Sequence, residues 1–211
     1  MTDNTVLNAG SGGDTYGSDD IGGVKYQRVK LIQGADGTND GDTSFTNPFP
    51  VHPLGFPKTV QTDVVLPTSS VYAAGDALSD STSAPTTGGF TFTNAARTSG
   101  GSGIIMDACI MSSADPATRL SGELWLFNQA VTAINDNAVF AVSDAEIKTC
   151  IGVIPFSMFD AGNNQYAQIV GLNMMFTCVG TANLRFLIRA RNAYTPATDT
   201  LTFMLKILQI D

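Results

Sequence analysis

The chain contains a single histidine, His52, set in the proline-rich stretch VHPLGFP over residues 51–57. General-base catalysis needs an imidazole or carboxylate that a partner orients within hydrogen-bond reach of a nucleophile. A histidine beside Pro53 in a turn-rich run reads instead as a loop residue, and the G-x-S-x-G nucleophile elbow of the hydrolases is absent. Two carboxylates held about 5–10 Å apart across a cleft can cut a glycosidic bond. Asp107 and Glu123 are the pair that expected strands could supply, and the plainer reading is two outward polar positions. The run DGTNDGD (36–42) begins like a calcium loop, with Asp36, Thr38 and Asp40 alternating before Gly41. Its twelfth position is Asn47 where a bidentate Glu belongs, and its flanks are not helical, so it reads as a cluster of Asp-Gly turns. No G-x-x-x-x-G-K-[ST] phosphate loop occurs. Cys109, Cys150 and Cys178 are odd in number and widely spaced, which makes neither a disulfide framework nor a metal pattern. They read as buried reduced thiols, with one redox-dependent bridge as the alternative. The expectation is a protein with no catalytic, cofactor or metal site.

Such a protein acts through its surfaces, and composition narrows which partners they meet. The formal charge is −8, and no cluster of Lys and Arg interrupts it. Nucleic-acid binders gather positive charge against phosphates, so DNA and RNA are disfavoured partners, as is an anionic membrane surface. No run of about 18 apolar residues exists to span a bilayer. The first residues, MTDNTVLNAGSGG, lack a basic region followed by an apolar one, so synthesis is expected in the host cytoplasm. With 43% apolar and 14% charged residues in 211, the chain can build a core without metals or cross-links.

The elements follow from periodicity and turn residues. Residues 1–23 are rich in Gly, Asp, Asn and Ser and read as an arm. Residues 24–32 (VKYQRVKLI) have strand composition, yet Val24 and Tyr26 lie on one face and Val29 and Leu31 on the other, which a bulge or burial on both sides explains. Residues 34–57 are a Pro/Gly-rich linker, which divides the chain into 1–57 and 58–211. Strands are expected over 58–73, 89–93, 102–112, 121–128, 149–157, 166–179, 183–191 and 199–209. Short strands at such spacing make an antiparallel sandwich or barrel. Leu184, Phe186, Ile188 and Ala190 point inward against Arg185, Leu187, Arg189 and Arg191, and Leu201, Phe203, Leu205 and Ile207 point inward on the last strand. Met204 and Leu208 then fall on an outer face, and in 121–128 Leu124 and Leu126 oppose Trp125 and Phe127. Strands apolar on both faces need a second cover, either a neighbouring subunit or a loop of the same chain. One helix is expected at Ser143–Thr149, where Ser143 and Glu146 form a capping box.

Residues 19–37 (DDIGGVKYQRVKLIQGADG) resemble a segment near the N-terminus of many tailed-bacteriophage virion proteins, capsid decoration and tail-associated ones among them. Further resemblance runs through RTSGGSGII (97–105), GELWLF (122–127), TCIGVIPF (149–156) and RNAYTPATDTL (191–201). The resemblance implies an all-β, jelly-roll-like antiparallel sandwich behind an extended N-terminal arm. It implies a virion component, read first as a capsid decoration or cement protein on the virion surface, bound to the major capsid protein and, following the symmetry of such shells, self-associated as a homotrimer. The alternative is a tail-associated adhesin for a host receptor. Strand addition to another protein's sheet edge suits the arm. Val24, Tyr26, Arg28, Val29 and Lys30 are its candidate contacts, with Trp125 and Met204 as candidates on the sandwich. Pairing of residues 24–32 within their own chain is the plainer alternative.

Overall fold

The computed structural model describes residues 4–6, 15–27, 55–67, 71–196 and 200–210. The chain divides into two compact units, Met1–His52 and Pro53–Asp211.

In the first unit, β1 (Asn4–Val6), β2 (Thr15–Ile21) and β3 (Val24–Gln27) form an antiparallel sheet in that order. Gly22 and Gly23 join β2 to β3 with φ of 63° and 85°. A two-residue hairpin turn of this hand needs positive φ at both positions, which glycine adopts without strain. This differs from an unpaired arm followed by an isolated strand. Asp19 lies opposite Tyr26 and Ile21 opposite Val24, so the described part of 24–32 pairs within its own chain. A backbone ladder asks for no apolar side chains, and composition therefore hid a strand as polar as β2.

The second unit is a sandwich of two antiparallel sheets. Its strands are β4 (Phe56–Val65), β5 (Ala77–Leu78), β6 (Phe90–Phe92), β7 (Ser102–Ser112), β8 (Ser121–Phe127), β9 (Cys150–Ser157), β10 (Phe159–Asp160), β11 (Gln165–Ile169), β12 (Met174–Thr177), β13 (Leu184–Ala190) and β14 (Thr200–Gln209). The first sheet runs β10-β11-β7-β14-β4, with β12 also on β7; the second runs β5-β13-β8-β9, with β6 also on β13. The short strands β11 and β12 follow one another along one edge of β7, and β5 and β6 share one edge of β13. Counting each such pair as one broken strand, and setting aside the two-residue β10 at the edge of the first sheet, leaves four strands per sheet, and apart from the β8–β9 hairpin the chain crosses from one sheet to the other at each step. That is the two-Greek-key topology of a jelly roll. The run expected as one strand over 166–179 is broken at Val170–Asn173, where Gly171 and Asn173 have φ of 70° and 49°.

Side-chain alternation sets the core. Leu184, Phe186, Ile188 and Ala190 of β13 and Leu201, Phe203, Leu205 and Ile207 of β14 all turn inward and are buried. Phe203 meets Phe186 at a ring-centroid distance of 5.3 Å and Phe156 edge-on at 6.3 Å, which locks one sheet to the other. The single helix among the described residues, α1 (Asp144–Ile147), starts at Ser143. Its hydroxyl accepts from the Glu146 N–H while the Glu146 carboxylate accepts from the Ser143 N–H, completing the capping box.

Candidate interaction surface

The outer faces of the two sheets are finished differently. On the second sheet, Phe127 and Leu187 join Val131 in a second apolar cluster, with Trp125, Ile134, Phe140, Val142 and Cys150 packed against it. Ordinary alternation turns Leu126 to the core and Phe127 outward, and the β8–β9 register slips between them, leaving Ile151 as an extra residue on β9. Residues 129–142 cover this cluster. Backbone N–H groups of Val131, Asp136, Asn137 and Phe140 donate to the carbonyls of Gly88, Ser81, Ala77 and Gly75, which stitches the covering loop to the segment before β6.

Trp125 therefore lies beneath the chain's own loop. Its ring packs on Phe140 at 5.2 Å, and its Nε1 donates to Glu123 Oε2 at 3.0 Å. Of the two covers expected for this two-sided strand, the loop of the same chain is present.

The outer face of the first sheet has no such loop among the described residues. Its middle is made by β7 and β14, which align with Met204 opposite Cys109, Leu208 opposite Ile104 and Lys206 opposite Asp107. The register slips between Lys206 and Ile207, leaving Met106 as an extra residue on β7. The slip comes where β7 changes neighbours from β11 to β12. There the Leu172 N–H donates to the Met106 carbonyl at 2.8 Å, and the Gly171 N–H donates to Asp107 Oδ1 at 3.1 Å. The bulge pushes Met106 to the surface, where it is 38% exposed; Met175 beside it on β12 is 72% exposed and Phe159 on β10 is 54% exposed. Ile104, Met111, Met204 and Leu208 are half-buried.

Polar groups are interspersed on this face, where Gln168, Thr177, Thr202, Asp107 and Lys206 alternate by register with the apolar residues. Lys206 Nζ lies 3.8 Å from Asp107 Oδ2 in the middle of it. The Tyr166 hydroxyl donates to Cys109 Sγ at 3.1 Å, a contact that together with burial raises the tyrosine's pKa. Thr59, Gln61 and Asp63 of β4 border it. A groove of about 340 Å³ follows the bulge, lined by Pro57, Thr59, Met106, Asp107, Lys206 and Leu208 among others.

The other sequence candidates are dispersed. Val24 is exposed and Tyr26 lies on β3, the edge strand of the small sheet; Arg28, Val29 and Lys30 lie outside the described residues, as do the 36–42 turn cluster and His52. Asp107 and Glu123 sit on the outer faces of different sheets. Each has its own cations, Lys206 for Asp107 and Arg189 with Arg191 for Glu123, so they do not face one another across a cleft. The described residues hold no cluster of His, Cys, Asp and Glu that could bind a metal, and Cys109, Cys150 and Cys178 form no disulfide. Sequence reasoning found Met204 and Leu208 but missed Ile104, Met106, Met111, Phe159 and Met175. Residues 102–112 (SGIIMDACIMS) carried the signal, being apolar on both faces, and the bulge at Met106 disguised it by shifting the phase of alternation.

No protein-family model matches the chain, and no curated protein matches it in sequence. Among solved structures, it is similar to a chain of the full Israeli acute paralysis virus particle heated to 63 degrees, with 10% identity, 100% of this chain and 93% of that chain covered, and a TM-score of 0.30. A chain of the native Kashmir bee virus virion at acidic pH gives 11% identity, coverage of 97% and 92%, and a TM-score of 0.28. A chain of the Israel acute paralysis virus crystal structure gives 10%, 100% and 90%, and 0.26.

Proposed function

We propose that the chain is a structural component of a virus particle that docks on the outer capsid surface and stabilises the shell. The observation that carries this reading is the open apolar face of the first sheet, on a sandwich whose opposite face its own loop closes. An apolar face of this extent is stabilised when protein covers it. Cementing a shell needs contacts and no reaction, and repetition over many copies strengthens contacts that are individually weak. The segments that resemble tailed-phage virion proteins include nearly all of β8 and β9, the framework of the second sheet.

In this reading the N-terminal unit is the anchor. β3 ends its small sheet, and a strand of the major capsid protein added along that edge would meet Val24 and Tyr26, with Arg28, Val29 and Lys30 continuing the contact. The test is co-sedimentation of the purified protein with expanded empty capsids and, separately, with host cells. Capture by capsids, lost on deletion of residues 1–32, is the expected result. Capture by cells alone would overturn the proposal in favour of an adhesin.

A further inference from the structure

We infer that the open face of the first sheet pairs with the same face of a second copy, about a two-fold axis running along the strands between β7 and β14. The inference rests on the same face that carries the proposed function, and it names the occupant of that face.

Three observations lead to a second copy. The first is charge. Asp107 and Lys206 are cross-strand neighbours with Met204 and Cys109 on one side of them and Leu208 and Ile104 on the other, and they meet at a long 3.8 Å. Burying a face that contains one ion pair is costly unless the charges find further partners. A two-fold axis between β7 and β14 sets Lys206 against the partner's Asp107 and Asp107 against the partner's Lys206, so each charge gains a second opposite one. The face is therefore its own electrostatic complement, as an isologous interface demands.

The second is the pattern of apolar residues. The same axis lays Met204 over the partner's Cys109 and Leu208 over the partner's Ile104, because each of these pairs already stands side by side across β14 and β7. Apolar matter concentrates on the two central strands, and the polar side chains of β4 fall at the border. That is a desolvated centre within a polar rim, with methionine enriched, as in protein interfaces.

The third is size. Ten residues of β14 at about 3.4 Å each, beneath four to five strands spaced about 4.8 Å, give a footprint of about 700 Å² per copy. Two such faces bury about 1,400 Å², within the usual range of about 1,200–2,000 Å² for a stable complex.

Sedimentation equilibrium of the full chain tests the pairing. A reversible two-chain species is expected. Met204→Lys should weaken it by about 30-fold or more, the loss that separates a central contact from a peripheral one, with the circular dichroism spectrum, and melting at concentrations too dilute for pairing, unchanged. Met175→Lys, at a more exposed position, repeats the test where folding is not in question. Lys206→Asp should weaken pairing, and adding Asp107→Lys to it should restore pairing by reversing both charges at once. A chain that stays monomeric, one that forms trimers, or pairs indifferent to Met204→Lys and Met175→Lys would overturn the inference. Capsid co-sedimentation separates the two readings. A monomer that still binds capsids removes the pairing and leaves the docking, and a pair that ignores capsids does the reverse.

Discussion

Asp136 is 4% exposed and its Oδ1 accepts from the Tyr72 hydroxyl at 2.8 Å and from the Ser79 N–H at 2.9 Å. Its own N–H donates to the Ser81 carbonyl at 2.8 Å. One side chain thus fastens three stretches of chain: the segment at Tyr72, the segment after β5, and the loop that covers Trp125. Tyr72 also stacks on Tyr194 at 6.3 Å and bridges to it by backbone bonds, so the fastening extends to the chain between β13 and β14. Hydrogen bonds to a buried charge are worth more than neutral ones. Asp136→Ala should therefore cost about 2–3 kcal/mol, read as a lower denaturant midpoint at unchanged slope. A loss near zero would show that the covering loop holds without it. No spacing rule in the sequence singles out this aspartate, since it sits in a polar run (NDN, 135–137) that reads as a turn.

At the scale of elements, close backbone approach and capping decide the geometry. A Cβ on Gly122 of β8 would lie 2.6 Å from Phe156 Cζ and 2.9 Å from the Arg189 carbonyl oxygen, because the ring on β9 lies across the glycine. Gly122→Ala should destabilise by about 1–3 kcal/mol through overpacking, seen as a lower melting temperature. The capping box of α1 offers a pH-dependent counterpart. Bonds from the Ser143 hydroxyl, then from the Thr132 N–H, hold the Glu146 carboxyl at a pKa of about 2, below its ordinary 4.5. A group depressed in the folded state stabilises above its unfolded pKa, and that contribution is lost as pH falls from about 4.5 through about 2. Thr132 belongs to the loop over Trp125, the single tryptophan of the chain. Acidification across that window should loosen the loop and shift tryptophan emission, whereas Glu146→Ala should show the shifted emission already at neutral pH. Identical acid titrations for both proteins would separate the loop from the cap.

For the whole molecule, the apolar core formed by the described residues lies within Pro53–Asp211, from Val60 to Ile207. A chain starting at Pro53 should therefore fold alone, with a cooperative melt close to that of the full chain. Loss of that transition would make the N-terminal unit part of the folding core. The two units then divide the proposed work, with an edge strand as anchor in one and an apolar sheet face as contact in the other.

Local rules made much of this legible from residues alone. Alternation fixed the inward faces of β13 and β14, since a strand's period of two leaves no other way to bury Leu184, Phe186, Leu201 and Phe203. Ser143 and Glu146 announced α1, and glycine, proline and asparagine marked most strand ends. The two-sided strands around Trp125 and Met204 were also visible as a need for cover. Which cover each receives was not in the pattern, because it depends on contacts far apart in sequence. The loop 129–142 reaches Trp125 through backbone bonds to residues 75–88, while nothing of the kind among the described residues reaches Met204. The bulge at Met106 arises where two different strands share β7, a property of the sheet and not of any one strand. Sequence thus determined the strands and their inner faces, and tertiary structure decided which outer face a loop of the chain closes and which the described residues leave uncovered.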